Sequence, residues 1–211
     1  MRHIFKLLAA SVAAATICSC SSLTGYPTDA EASYAKAIEI AKKSVDTDKV
    51  YSLSFMEGEP LSDNLFLISV KLVNKDNQAF SQSYYMTGLE PTALSDVQRT
   101  FEAPEYETTV GIDLTKLDAA QIAAQIAQAK TMLPEGHSFK SVGSYQIEED
   151  VPAGNSVFNR NKTFGKQHTS FVVRFTEDGK ETESSAGKTS YIYYEAEVTA
   201  EPDGTLSIEE N

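Results

Sequence analysis

Several segments of this chain alternate apolar and polar residues with a period of two, the spacing at which successive side chains leave a strand on opposite faces. Phe66, Ile68, Val70 and Leu72 share one face of a single run, and Tyr51, Leu53 and Phe55 alternate with Ser52 and Ser54. Further on, Ile192, Tyr194, Ala196 and Val198 stand opposite Tyr191, Tyr193, Glu195 and Glu197. Strands with one apolar and one wet face belong to antiparallel sheets covered on one side. Such a face needs a second layer, and two helix signatures supply it. Thr28 and Glu31 have capping-box spacing at the head of a helix expected over 28–45, with Asp29 early and Lys42 and Lys43 late. Its apolar stripe is Ala30, Tyr34, Ala37, Ile38, Ala41 and Val45. Asp118 with Gln121 opens a second helix carrying Ile122, Ile126, Ala129 and Leu133, which Pro134-Glu135-Gly136 stops.

Asn74-Lys75-Asp76-Asn77 is a turn that returns the chain into a strand over 79–86, and a less regular stretch then leads to a strand expected over 106–112. After the second helix come strands at about 139–147, 169–175, 190–198 and 205–208, with turn chemistry at Asp178-Gly179 and Asp203-Gly204. Each half therefore reads as one helix followed by about four antiparallel strands. The expected class is α+β, with two tandem units, 28–112 and 113–211, each a helix packed on a β-meander. At 41% hydrophobic residues and 20 Tyr plus Phe, the 211-residue chain has material for such cores. In element order alone, a helix on a meander resembles the PepSY and cystatin-type modules, and two in tandem resemble the bacterial β-lactamase-inhibitor architecture.

The N-terminus is a different kind of segment. Arg2, His3 and Lys6 precede an apolar run from Leu7 to Ile17, too short for a lasting membrane span, and Ile17-Cys18-Ser19-Cys20 follows. This spelling resembles the lipobox of bacterial lipoproteins, with an aliphatic residue at −3, a small one at −1 and the lipidated Cys at Cys20. The resemblance implies a signal peptide over 1–19, a lipidated Cys20 with a tether over 20–27, and a chain moored to a membrane through its N-terminal lipid. Ser21 directly after the lipid Cys implies the outer membrane of the cell envelope, and the absence of an acidic cluster there implies a periplasm-facing orientation. Loss of Arg2 and Lys6 with the signal, which contains no acid, moves the formal charge from −12 to −14. A tether of seven residues, Ser21 to Pro27, spans at most roughly 25 Å.

Charge and motif together narrow the chemistry. A net charge of −12 argues against nucleic acid as a partner. After lipidation the only metal-ligating imidazoles are His137 and His168, far apart in sequence, so neither a metal nor a cofactor site is expected. No Walker loop or GxGxxG occurs. Ser33-Tyr34-Ala35-Lys36, Ser62-Asp63-Asn64 and Lys188-Thr189-Ser190 follow the order of the boxes in penicillin-recognising serine enzymes, but the chain lacks the length and the intervening helical domain of that family, and no catalytic residue is assigned.

One segment stands out. From Pro152 to His168 the chain loses strand and helix periodicity and holds Phe158, Arg160, Lys162, Phe164, Lys166 and His168, with no acid between Ala153 and His168. A basic, aromatic loop on an acidic body suits an anionic or polar partner. The sequence thus points to a non-catalytic envelope lipoprotein that binds an envelope protein or glycan through its sheet face or this loop. A proteinaceous inhibitor of a hydrolase is the alternative, followed by an unrecognised hydrolase.

Overall fold

Leu53 and Phe55 in one half of the chain and Tyr145 and Ile147 in the other carry the strongest apolar rows, and the fold joins them side by side. The computed structural model describes residues 25–43, 48–93, 95–96, 104–151, 164–185, 188–201 and 203–210. The elements in order are α1 (Glu31–Lys42), β1 (Lys49–Glu57), β2 (Leu65–Val73), β3 (Ala79–Tyr85), β4 (Ser95–Asp96), a 3-10 turn (Leu114–Lys116) and α2 (Ala119–Lys130), then β5 (His137–Glu149), β6 (Gln167–Glu177), β7 (Thr182–Ser185), β8 (Lys188–Tyr191), β9 (Tyr194–Ala200) and β10 (Leu206–Glu210). All pairings are antiparallel, in the order β10-β9-β6-β5-β1-β2-β3-β4, with β7 and β8 forming a separate ribbon. β4 is only two residues long, so among the described residues seven strands carry the main sheet.

This architecture corrects the expectation of two tandem helix-on-meander units. β1 pairs with β5 from Ser52↔Glu148 to Met56↔Ser144, which makes the strands of both halves one sheet. α1 and α2 pack against each other on the same face, and a single core cluster contains residues of both helices and of β1, β2, β5, β6, β9 and β10. The reason is an edge: an unpaired β1 or β5 would leave a row of backbone donors and acceptors open beside the most apolar positions of the chain. At the centre Tyr34 meets Phe55 edge-on at 5.6 Å and Tyr145 at 5.8 Å, and Tyr145 stacks on Phe171 at 5.4 Å. Lys130 of α2 pairs with Asp29 ahead of α1 and lies 4.0 Å over the Phe139 ring, tying the helix layer to β5.

Four local expectations also change. The capping box does not form: α1 starts after Ala30 with no side-chain cap, because the Thr28 hydroxyl is committed elsewhere. α2 does begin at an Asp118 cap, its carboxylate accepting from the Ala120 amide at 2.9 Å. The strand expected over 106–112 is a turn and extended chain, since Glu149 takes the amides of Val110 and Gly111 at 2.7 and 2.5 Å in place of a neighbouring strand. The run 190–198 splits, because β8 turns away to pair with β7 while β9 rejoins the sheet at Tyr194↔Phe175. Finally, Phe66 leaves the row of Ile68, Val70 and Leu72. A bulge opposite Met56/Glu57 hands its core position to Leu65. Val45 lies outside the described residues.

Candidate functional site

Both helices cover one face of the sheet, and what the other face presents is set by register. Beginning at β10, the aligned residues are Ser207, Thr199, Ser170, Gln146, Ser54, Ser69 and Ser83, each directly opposite the next across β10, β9, β6, β5, β1, β2 and β3. Every member carries a hydroxyl or carboxamide and none carries a charge. With strands about 4.8 Å apart, the row extends roughly 29 Å. Thr92 continues it at the β3 edge, its hydroxyl accepting from the Ser83 amide at 2.9 Å. Each group can both donate and accept a hydrogen bond, and short side chains lose less rotamer entropy on being covered than lysines or glutamates do.

The flanking rows differ from this band and from each other. Two residues along the strands, toward the start of β2, the aligned set runs Glu209, Glu197, Val172, Ser144, Met56, Leu67 and Tyr85, acidic at the β10 edge and apolar at the β3 edge. On the opposite side the set is His168, Glu148, Ser52, Lys71 and Ser81. There the Ser52 hydroxyl donates to Glu148 Oε1 at 3.0 Å, and His168 Nε2 meets Asp150 Oδ2 at 2.8 Å. Tyr51 beside them is pushed up to about 12 by burial and, secondarily, by the charge of Glu148.

A buried polar cluster closes the end of this face near β5 and β6. Arg174 pairs with Glu57 and, through Nε, with Glu195 at 2.7 Å, while Tyr193 lies 5.6 Å from its guanidinium carbon. Gly143 is its floor: a Cβ there would stand 2.9 Å from Arg174 Cζ, so only glycine lets the planar group lie on the sheet. Glu57 is buried, and Arg174 compensates a carboxylate that would otherwise be stranded. The cluster is structural and fixes the β1, β6 and β9 ends that border the hydroxyl row.

The six residues proposed from the loop fall into two groups. Phe158, Arg160 and Lys162 lie outside the described residues, as does Cys20. Phe164, Lys166 and His168 lie at the base of the β5–β6 hairpin, where Asp150 N donates to Lys166 O at 2.9 Å and Gly165 N to Asp150 O at 2.8 Å. His168 is the member that belongs to the sheet face, and its partner is an acid of its own hairpin. Ser52 and Ser54 are legible in the sequence as the polar side of one strand. Ser69, Ser83, Ser170, Thr199 and Ser207 are not singled out by sequence alone, and their signal is serine or threonine recurring at the polar positions of successive strands where charges are commoner.

The three serine-enzyme boxes stand on separate elements. Ser33 is buried in α1 with Lys36 bound to Glu39 at 3.0 Å, Ser62 to Asn64 precede β2, and Lys188 to Ser190 form β8 in the ribbon. Among the described residues no three His, Cys, Asp or Glu gather as metal ligands, and no helix is long and apolar enough to cross a membrane. No protein-family model, curated protein or solved structure matches this chain.

Proposed function

We propose that this chain is a non-catalytic cell-envelope lipoprotein, moored through a lipidated Cys20, that captures an envelope protein or glycan on the open face of its sheet. The observation that carries the reading is the unbroken row of seven neutral hydrogen-bonding residues from Ser207 to Ser83. A face that serves only solubility carries Lys and Glu, which resist being covered. Between its charged flanking rows this face offers a neutral row of hydroxyls and one carboxamide, buried at Ser54 and at least partly exposed at its other members, for hydrogen bonding with a polyhydroxylated chain or a polar protein surface. Phe164, Lys166 and His168, the described end of the Pro152–His168 segment, lie at the base of the β5–β6 hairpin, and His168 stands in the row with Glu148 and Ser52.

The test is affinity capture from envelope extract with the detergent-solubilised full chain and with a Ser69→Arg/Ser170→Arg double variant. Both side chains point away from the helices, so the variant keeps the parent's thermal midpoint. The parent retains a partner and the variant loses it at least about tenfold, the loss expected when two bulky charges interrupt a hydrogen-bonded interface. Equal capture by parent and variant would remove the sheet face from the reading.

A further inference from the structure

We infer that the pole of the molecule at which the tether emerges is a second membrane contact, an apolar and aromatic patch that seats in the headgroup region of a neutral bilayer and fixes the domain's orientation. The inference rests on the lipid anchoring proposed above.

The exit point of the chain is fixed. Tyr26 O accepts from the Leu65 amide at 2.7 Å and Pro27 bridges to Asn64, so the first described residues run along the entry to β2. Gly25 has φ +82° and lies so close to Asn64 that a Cβ would meet its Oδ1 at 2.2 Å, which pins this tether residue against the fold. Two depressions, of about 470 and 370 Å³, share Tyr26 and Thr87, and Gly25 lines the first. Leu65 and Phe66 line the first; Tyr85, Met86 and Leu89 line the second. Leu89 is 59% exposed and Phe66 37%, and Phe66 meets Tyr85 edge-on at 5.4 Å.

Cys20 precedes Gly25 by five residues, no more than roughly 18 Å of extended chain, so a lipid on Cys20 keeps this pole at the membrane surface. Aromatic and aliphatic side chains exposed at that level favour the interfacial region over water. The local charges select neutral headgroups: Lys36 on the rim is bound to Glu39, and Glu59 on the rim is an exposed acid. Two-point attachment, lipid and patch, directs the strands away from the surface. Val110, 66% exposed, then lies at the far end, beyond Val50 and seven strand residues from Glu57, about 23 Å along β1. The hydroxyl row between the two ends stays open to a partner in the envelope.

The chain contains no Trp, so a single introduced Trp reports its own surroundings. Full chain isolated from membranes is reconstituted in phosphatidylcholine vesicles with brominated acyl chains, as Phe66→Trp, Leu89→Trp and Val110→Trp variants, and flotation is scored in parallel. Co-flotation with blue-shifted emission and at least about twofold stronger quenching for Phe66→Trp and Leu89→Trp than for Val110→Trp supports the patch. Co-flotation with equal quenching at all three positions overturns the patch and leaves anchoring standing. Failure to float overturns the anchoring reading, and the patch with it.

Discussion

Thr28 joins three parts of the fold with one hydroxyl. Its Oγ1 donates to Asp63 Oδ1 at 2.6 Å, before β2, and accepts from the Val142 amide at 3.0 Å, inside β5, while its carbonyl accepts from the Tyr34 hydroxyl of α1 at 2.7 Å. The residue is 0% exposed, so no water replaces a lost partner. Thr28→Val keeps the shape and leaves the Val142 amide buried without an acceptor, an expected loss of about 1–3 kcal/mol in urea unfolding at neutral pH. Thr28→Ser keeps both bonds and loses only a methyl, about 1 kcal/mol or less. Equal stabilities for the two variants would show that the hydroxyl contributes nothing. The sequence offers Thr28 and Glu31 as a capping box because capping is local and readable; the use made of Thr28 depends on Asp63 and Val142, distant residues that no local rule pairs with it.

The same division holds for whole elements. Both helices were legible, since their stripes, Tyr34, Ala37, Ile38 and Ala41 in α1 and Ile122, Ile126 and Ala129 in α2, are buried as their spacing predicts. The strand expected over 106–112 was not there, although Tyr106, Thr108, Val110 and Ile112 share a parity. Its backbone is satisfied by side chains instead: Lys49 Nζ donates to the carbonyls of Tyr106 and Thr109 at 2.8 and 2.7 Å, and both Glu149 oxygens accept amides. Glu149→Gln can accept at one atom only and turns an NH2 toward the second amide. The expected cost is about 1–3 kcal/mol, together with faster hydrogen exchange at Val110 or Gly111 and unchanged exchange in β6. Unchanged protection at both amides would mean the segment is held by something other than this carboxylate. The hydroxyl row was hidden for a related reason. Its alignment depends on bulges at Val50/Ser52 and Met56/Glu57 in β1 and at Phe139/Ser141 and Val142/Ser144 in β5, and a slip of one residue exchanges the two faces of a strand.

At the scale of the molecule, one sheet and one core imply one unfolding transition, and three tyrosines make its pH dependence readable. Tyr34 and Tyr145 are pushed upward by burial, and Tyr51 is pushed up to about 12 by burial and then by Glu148. An unfolded chain ionises its tyrosines near about 10. Between that value and the folded-state values the unfolded chain has released protons that the folded chain retains, so stability falls as pH rises. The contribution is complete below pH about 10 and is lost on passing upward through the folded-state values, at about 1.4 kcal/mol per pH unit for each group. The three together steepen the loss to roughly 4 kcal/mol per unit above pH about 10. At pH values between about 10 and the folded-state values, urea titrations followed by circular dichroism and by tyrosinate absorbance are expected to coincide, because there these three phenols ionise on unfolding. Tyr51→Phe is expected to reduce the slope by about a third while leaving the transition single. Two independently folded halves would behave otherwise: Tyr34 and Tyr51 stand before residue 113 and Tyr145 after it, so separate cores would give two steps in alkaline urea, and fragments 28–112 and 113–211 would each melt alone. Tyr34 packs on Tyr145 across that division and β1 pairs with β5 there, so each fragment is expected to be unfolded in isolation.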